Sequence, residues 1–275
     1  MRILVTGGTG KTGRRVAARL QANGHETVIA SRQGGQGVAF DWSDSATFTQ
    51  AAQDIDAAYL VAPSGTFDLV AAMRPFIDVL ANAGVGRLVL LSAASLDKGG
   101  PMMGAVHAYL ADHVARWTVL RPSWFMQNFS EQQHRETILA EDAIYSAAGD
   151  GRVGWINADD IAAVAVAVLV DKTRANSDLV LTGLEALNYD ALASTISRAV
   201  GRSITHKRLT IDQLCARFEA ASMPPAYAAT LAGMDGAIEA GESDFVTTAV
   251  FDITGAPATT FACFADESKA AWQRA

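Results

Sequence analysis

The chain has 275 residues, of which half are hydrophobic and 19% are charged, with 22 lysines and arginines against 29 aspartates and glutamates. Disordered chains combine low hydrophobicity with high net charge, so this composition predicts a folded protein. The formal charge of −7 and the lack of a basic run argue against a nucleic-acid partner, because that affinity depends on neutralising phosphates.

The N-terminal segment is strand-like, and no basic stretch followed by an apolar run and a cleavage site precedes it, so no secretory signal is expected. The longest apolar run, residues 161–170, is too short to span a bilayer, which needs about 20 residues. Cys215 and Cys263 lie far apart without further ligands at metal-binding spacing. We therefore expect reduced thiols, no metal site, no membrane partner and a cytoplasmic location.

The first 120 residues alternate short β-branched runs with longer alanine-rich stretches, which is typical of β-α-β units around a parallel sheet. Strands are expected at residues 3–6, 26–30, 38–41, 57–61, 87–92 and 117–121. Helices are expected at residues 11–22, 45–53, 66–83 and 103–115, with Gly24 and Gly84 where a glycine commonly ends a helix. The glycine-rich link of residues 31–37 is too short for a helix, so this crossover is expected to be trimmed.

Beyond Pro122 the pattern becomes less regular. We expect a strand at residues 178–182, a helix at 189–200, a strand near 203–207 and a loosely helical stretch at 221–240 that is a candidate to fold over a ligand. The predicted fold is α/β, a Rossmann-type doubly wound parallel sheet with a smaller mixed α/β C-terminal region.

A glycine-rich turn joins the first strand to the first helix. Gly8, Gly10 and Gly13 satisfy the pattern G-x-G-x-x-G in the required strand-to-helix context. Glycine permits the tight turn and a close approach of the backbone to a pyrophosphate, while the helix N-terminus presents unpaired N–H groups. We expect this turn to bind a dinucleotide through Gly7, Thr9, Gly10, Lys11, Thr12 and Gly13; the alternative is a plain turn without a ligand.

The same segment imitates the phosphate-binding loop of ATPases. That loop, G-x-x-x-x-G-K-[ST], would need a glycine at position 5, where this chain has Val5 inside the strand. The ATPase loop is therefore excluded. Lys11 is either a neighbour of the phosphates or a solvated residue of the first helical turn.

The end of the second strand indicates which dinucleotide binds. An NAD site has a carboxylate there for the ribose 2′-hydroxyl, whereas this chain has Ser31 and Arg32. A guanidinium pairs with a 2′-phosphate, so NADP(H) is favoured over NAD(H). Asp41 and Trp42 are expected beneath the adenine; the alternatives are a helix-starting aspartate and a core tryptophan.

Three segments resemble the NmrA-like atypical short-chain dehydrogenase/reductases: residues 6–13, residues 120–129 (Leu-Arg-Pro-Ser-Trp-Phe-Met-Gln-Asn-Phe) and residues 157–162 (Asn-Ala-Asp-Asp-Ile-Ala). Residues 106–110 followed by the Trp-Phe-Met-x-Asn-Phe element are particularly similar to the branch that contains the ergot-alkaloid clavine dehydrogenases and their bacterial relatives. The resemblance covers about residues 1–210 and thins over the remainder.

The resemblance implies an NAD(P)-binding domain of residues 1–155 and a substrate-binding region of residues 156–275 that is not an independent domain. By position, the ends of the fourth, fifth and sixth strands would contact the cofactor, where open α/β sheets bind ligands. The residues implied at these strand ends are Ala62, Pro63, Ser64, Ser92, Ala93, Pro122, Trp124 and Phe125.

Short-chain dehydrogenases normally use a Tyr-x-x-x-Lys pair, which this chain lacks. Tyr109 is followed at that spacing by a histidine, and alignment to the family places the lysine equivalent at Met103. His107, one helical turn after Met103, is a candidate to reach a substrate oxygen. Tyr109, His107 and Ser92 are thus candidate catalytic residues; the alternatives are an ordinary helix residue, a structural histidine and a strand-end cap.

Without a clear acid, the expected chemistry is hydride transfer to a centre that is already electrophilic. We expect an NADPH-dependent reductase of a conjugated or polycyclic small molecule (quinone, iminium or ketone) in secondary metabolism, acting as a monomer or homodimer. Alternatives are a redox-sensing regulator that binds NADP(H) without turnover, and a tailoring enzyme for oxygenation or rearrangement of an aromatic natural product. Candidate substrate-pocket residues, each of which is also a candidate core residue, are Trp124, Phe125, Met126, Trp155, Met223, Tyr227 and Met234.

Overall fold

The computed structural model describes residues 1–35 and 37–274. Its strands are β1 (Arg2–Thr6), β2 (Glu26–Ser31), β3 (Val38–Ala39), β4 (Ala57–Leu60), β5 (Arg87–Leu91), β6 (Trp117–Pro122), β7 (Ala143–Ser146), β8 (Ser177–Leu181) and β9 (Thr205–Arg208). Its helices are α1 (Lys11–Ala22), α2 (Phe48–Ala51), α3 (Leu69–Asn82), α4 (Met103–His113), α5 (Gln133–Glu141), α6 (Ala158–Val170), α7 (Tyr189–Val200), α8 (Ile211–Ala220), α9 (Pro225–Glu239), α10 (Ala249–Thr254) and α11 (Phe261–Ser268).

Seven strands form one parallel sheet in the order β3-β2-β1-β4-β5-β6-β8. Val5 of β1 lies opposite Ile29 of β2 on one side and Tyr59 of β4 on the other. The prediction of a Rossmann-type doubly wound sheet is therefore confirmed. The strand order reverses at β1, and ligands of such sheets bind beyond the carboxyl ends of the strands at this point.

The first helix and the seventh, α1 and α7, have the predicted bounds. Gly24 and Gly84 follow α1 and α3 with φ of +76° and +73°, which is the left-handed conformation that glycine adopts most readily. Between β2 and β3 the described residues form turns and no helix, as expected, and Gln36 of this link lies outside the described residues.

Several predicted elements are shorter in the structure, and for two of them the cause is local. The third strand ends at Ala39 rather than residue 41, because Asp41 leaves the ladder and forms a bridge with Asp44. The third helix begins at Leu69 rather than residue 66, because the Asp68 carboxylate accepts a hydrogen bond from the Ala71 amide at 3.0 Å and caps the helix there.

The chain divides into two compact units, the first of Met1–Pro122, Ala158–Leu181 and Ala249–Ala256, the second of Ser123–Asn157, Thr182–Thr248 and Pro257–Ala275. This division differs from a boundary near residue 155. The reason is that β8 pairs with β6, with Val119 opposite Asp178, so residues that the sequence placed in the C-terminal region extend the sheet.

Aromatic residues form part of the core of each unit. In the first unit the rings of Phe40 and Phe76 lie 4.5 Å apart between centroids. In the second unit, where β7 and β9 form a parallel pair, the indole of Trp272 donates a hydrogen bond to the Phe129 carbonyl at 2.6 Å. Within the described part of the chain, no helix combines the length and the apolar character needed to cross a membrane.

Candidate functional site

The turn between β1 and α1 has a backbone that only glycine fits. Gly7 has φ of +61°, and its carbonyl accepts a hydrogen bond from the Gly10 amide at 2.8 Å. A Cβ on Gly13 would lie 2.2 Å from the Gly7 oxygen, and a Cβ on Gly8 would lie 2.6 Å from Cγ2 of Ile29 in β2. Among the described residues, no side chain caps α1 at Gly10, and a helix N-terminus of this kind suits an anion.

A cavity of about 1000 Å³ opens beside this turn at the carboxyl ends of the strands. It brings together ten residues that the sequence predicted as cofactor contacts. These are Gly7, Thr9, Gly10, Ser31, Arg32, Asp41, Trp42, Ala62, Pro63 and Ser64. Thr12 and Gly13 are buried beneath the turn, in the first turn of α1 after Lys11. This volume lies at the upper end of the range of small-molecule sites.

Part of the cavity wall was missed by sequence reasoning. It also includes residues from the loop after β3, the first residue of α2, the loop between β4 and α3, and the first half of α3. These are Ser43, Ser45, Phe48, Gly65, Thr66, Asp68, Ala71, Ala72 and Pro75. The strand-end rule predicted contacts at residues 62–64 but did not indicate that the helix following this loop would form a wall. The small, apolar residues at the start of α3 could have indicated that this helix lines the cavity.

Arg32 lies in this cavity and makes no hydrogen bond or salt bridge with the residues described in the structure. Asp41, in the same wall, accepts hydrogen bonds from the Ser43 amide at 2.9 Å and the Ser43 hydroxyl at 2.7 Å. These hydrogen bonds, together with the charge of Arg32, hold the pKa of Asp41 below its ordinary value. The Asp41 carboxylate is thus engaged locally, while the guanidinium is available to an anion.

Trp42 is held at the cavity wall by edge-to-face contacts, with ring centroids 5.0 Å from Phe40 and 5.7 Å from Phe76. It is partly buried and packs against the core while lining the cavity. Trp42 is therefore a tryptophan at the edge of the core that also lines the cavity, and its place beneath the adenine stays a prediction.

Ser92 and Ala93 follow β5, at the edge of the sheet where the cavity lies. The Ser92 amide donates to the Leu120 carbonyl at 2.7 Å, and the Ala94 amide donates to the Pro122 carbonyl at 2.9 Å. The Ser92 hydroxyl is buried and has no hydrogen-bond partner among residues 1–35 and 37–274. A buried hydroxyl without a partner costs free energy, so this atom suits a ligand group.

Arg121 holds the loop after β5 in place. Its buried guanidinium donates to the Ala94 carbonyl at 2.6 Å and to Asp178 at 3.0 Å, and it also pairs with Asp97. The charged hydrogen-bond network of Arg121 therefore fixes the loop that carries Ser92.

His107 and Tyr109 both lie on α4 but away from the glycine turn. The buried His107 ring packs 5.3 Å from Trp117, the first residue of β6, which is the strand end opposite the cavity edge. Burial lowers the pKa of His107. The Tyr109 hydroxyl donates to Asp78 of α3, and this hydrogen bond raises its pKa.

The predicted substrate residues lie in the second unit. The ring centroids of Trp124 and Trp155 lie 6.4 Å apart. Trp155 is buried, and its indole N–H donates a hydrogen bond to the Leu187 carbonyl at 3.0 Å. Met126 is also buried, and the Phe125 backbone forms a bridge with Ile156. The structure places Met223 just before α9, with Tyr227 and Met234 exposed on that helix.

Asp235 was missed by sequence reasoning. It lies on the buried face of α9 with Ala228 and Ala232, and its carboxylate accepts a hydrogen bond from the Ala147 amide at 2.7 Å. Burial raises the pKa of this carboxyl to about 6. The spacing of 228, 232 and 235 was a usable signal, because i, i+4 and i+7 share one helix face.

Asp235→Asn is expected to stabilise the protein, because a buried carboxyl with a raised pKa opposes folding once it ionises. Below pH 4 the carboxyl is protonated in the folded chain and the gain is small. As the pH rises past about 6 the gain reaches on the order of 2 kcal/mol. Urea unfolding at pH 4 and pH 7 measures this difference, with Glu239→Gln, an exposed acid on the same helix, as control. An equal effect at both pH values would contradict it.

The chain is similar to known oxidoreductases and dehydrogenases over nearly its whole length. Residues 7–172 match the family model described as NAD(P)H-binding. The oxidoreductase YesF of Bacillus subtilis is 40% identical over 98% of this chain and 96% of its own length. Agroclavine dehydrogenase of Claviceps fusiformis is 40% identical over 99% of each chain. The Escherichia coli quinone oxidoreductase QOR2, solved with NADPH, has a TM-score of 0.82 at 23% identity, covering 97% of this chain and 99% of its own.

Proposed function

Because this chain belongs to the NAD(P)H-binding family and is an oxidoreductase, we propose that it transfers hydride from NADPH to a conjugated or polycyclic small molecule. The predicted resemblance to NmrA-like atypical short-chain dehydrogenase/reductases is confirmed at the level of the family. The acceptor that we propose carries an electrophilic carbon, as in an iminium, a quinone or a ketone.

The observation that carries the choice of NADPH is the cavity wall at the end of β2. Arg32 and Ser31 lie there, and Asp41 is held by Ser43. A 2′-phosphate would give the guanidinium a charged partner, whereas a 2′-hydroxyl would leave it without one. The glycine turn would hold the pyrophosphate against the first turn of α1.

The residues around the sheet edge fit a nicotinamide cofactor. The turn is so tight that a Cβ at Gly13 would lie 2.2 Å from the Gly7 oxygen, and the Ser92 hydroxyl is a buried polar atom that lacks a partner among the described residues. Bound NADPH would supply the hydride, and the protein would orient it and exclude water. We assign Ser92 to the carboxamide of the cofactor or to a polar group of the substrate.

For the substrate we propose a flat, apolar molecule of secondary metabolism. Agroclavine dehydrogenase, the Claviceps relative, is named for an alkaloid. The second unit supplies aromatic side chains of the kind that bind such molecules, Trp124 and the exposed Tyr227 among them. We propose that this unit, rather than a contiguous C-terminal segment, forms the substrate-binding region.

Ser92→Ala is expected to lower kcat about tenfold and to leave the Kd for NADPH within about twofold, because one hydrogen bond to a bound group is lost. His107→Ala tests the other candidate. If only His107→Ala lowers kcat at unchanged NADPH affinity and stability, the assignment passes from Ser92 to His107. Steady-state kinetics with unfolding curves of both variants separate these results.

The experiment that tests the proposed function is NADPH oxidation with a panel of quinones, cyclic iminium ions and aryl ketones, followed at the nicotinamide absorbance under nitrogen. We expect turnover with at least one class. Tight NADPH binding without oxidation across the panel would favour the redox-sensing regulator. In a parallel run in air, consumption of oxygen with an aromatic substrate would favour the tailoring enzyme.

A further inference from the structure

Phe67 lies in the loop between β4 and α3 and is 82% exposed, more than any other large apolar residue that the structure describes. Single exposed apolar side chains are common on protein surfaces, so exposure alone assigns no role. The position of Phe67 is more informative, because its neighbours on both sides, Thr66 and Asp68, line the cavity beside the glycine turn. An aromatic ring in solvent therefore adjoins the cavity that we propose to hold a dinucleotide.

The loop that carries Phe67 is fixed at both ends. Before it, the Val61 amide donates a hydrogen bond to the Thr6 hydroxyl at 2.7 Å. After it, the Asp68 carboxylate accepts a hydrogen bond from the Ala71 amide at 3.0 Å and caps α3. Between these ends, residues 63–67 form no hydrogen bond with any other described residue. This loop can therefore change conformation without breaking a hydrogen bond, while both ends stay in place.

Gly65 gives the loop a pivot two residues before Phe67. Its φ is +84°, in the left-handed region that glycine adopts most readily. A Cβ at this position would meet no atom within 4 Å, so no packing contact holds the residue where it is. Hinges of closing loops are residues of this kind, which absorb a change in backbone dihedral angles. A rotation at Gly65 would carry the Phe67 ring with it.

One wall of the cavity already carries an aromatic ring. Trp42 lines the cavity and is held by edge-to-face contacts with Phe40 and Phe76. An adenine beside Trp42 would have one face covered and the other in water. A second aromatic ring would remove that face from water as well, and bases stack readily on aromatic side chains. Phe67 is the one aromatic residue among residues 62–68.

We propose that Phe67 is a further cofactor-binding residue, whose ring covers the adenosine half of the dinucleotide once the loop of residues 63–67 closes over the cavity. The inference rests on the proposed function, in which this cavity holds NADPH. It assigns Phe67 to the end of the cofactor that does not react, so the residue binds the cofactor and takes no part in hydride transfer.

The test measures by calorimetry the affinity of two ligands that share the adenosine half, NADPH and adenosine 2′,5′-bisphosphate. Phe67→Ala should weaken both by about fivefold or more and by a similar factor, because a stack between a base and an aromatic ring is lost. The unfolding midpoint of the cofactor-free protein should not change, because the ring lies in solvent. Phe251→Ala makes the same substitution at another exposed phenylalanine, on α10, and should change neither affinity.

Phe67→Trp keeps an aromatic ring and adds a fluorescent reporter. It should bind both ligands within about threefold of the unaltered protein, because tryptophan also stacks on a base. Its emission, after subtraction of the emission of the unaltered protein, should shift to shorter wavelength when adenosine 2′,5′-bisphosphate binds, because the ring leaves water. Unchanged affinities in Phe67→Ala, a loss for NADPH alone, or an emission of Phe67→Trp that does not shift would overturn the proposal.

These results do not depend on turnover. If no acceptor oxidises NADPH but Phe67→Ala weakens both ligands, the reductase proposal fails and the role of Phe67 stands. If acceptors are reduced and Phe67→Ala binds NADPH as tightly as the unaltered protein does, the reductase proposal stands and the role of Phe67 fails.

Discussion

Arg32→Asp is expected to weaken NADPH binding at least a hundredfold and to change NADH binding less than about threefold. The guanidinium of Arg32 lines the cavity without a salt bridge to any described residue, so a 2′-phosphate would be its charged partner. The substitution removes that attraction and adds repulsion, each worth about 1.5 kcal/mol or more for a charge-assisted hydrogen bond. The 2′-hydroxyl of NADH carries no charge, so neither the lost attraction nor the added repulsion acts on it.

Titration of both dinucleotides by nicotinamide fluorescence measures this difference. Arg198→Asp is a matched control, because Arg198 is exposed on α7 and, among the described residues, its guanidinium hydrogen-bonds only with Ser194 and Thr195. It should alter neither affinity. Equal losses of NADPH and NADH affinity in Arg32→Asp would show that Arg32 does not distinguish the two cofactors.

The second large effect is expected from Gly13→Ala. The added Cβ would lie 2.2 Å from the Gly7 carbonyl oxygen and 2.9 Å from the Gly8 Cα. Both are backbone atoms of the turn, so the turn itself must open, and with it the approach of the backbone to the pyrophosphate. We expect loss of measurable NADPH binding and a destabilisation of roughly 2 kcal/mol or more.

Gly233→Ala in α9 provides the control for replacing a glycine. A Cβ there would meet no atom within 4 Å, and alanine favours the helix. It should preserve NADPH affinity and raise stability slightly. An unchanged NADPH Kd in Gly13→Ala would contradict the role of the turn, since no dinucleotide could then depend on its close backbone approach.

The parts of this molecule that the sequence predicted well depend on local rules. The bounds of α1 follow from the glycine turn before it and the glycine after it, and the Thr6 to Gly13 segment combines strand, turn and helix within eight residues. The ATPase alternative was excluded by a single residue, Val5, which lies in β1 as expected.

The parts that were missed depend on contacts between distant segments. The assignment of β8 to the main sheet is made by its pairing with β6, a pairing that strand periodicity does not encode. The wall formed by the start of α3 and the partnership of Tyr109 with Asp78 likewise arise from how α3 packs. Asp235 escaped notice because α9 is apolar on more than one face, so one acid at a buried spacing did not stand out.

A crystal structure of the protein with NADPH would show which residues bind each part of the cofactor. We expect the pyrophosphate on the glycine turn, the 2′-phosphate within hydrogen-bonding distance of Arg32 and Ser31, the adenine beside Trp42, and the nicotinamide at Ser92 with one face open to a second ligand. A dinucleotide bound with its 2′-phosphate away from Arg32, or a nicotinamide covered on both faces by protein side chains, would contradict an NADPH-dependent reductase.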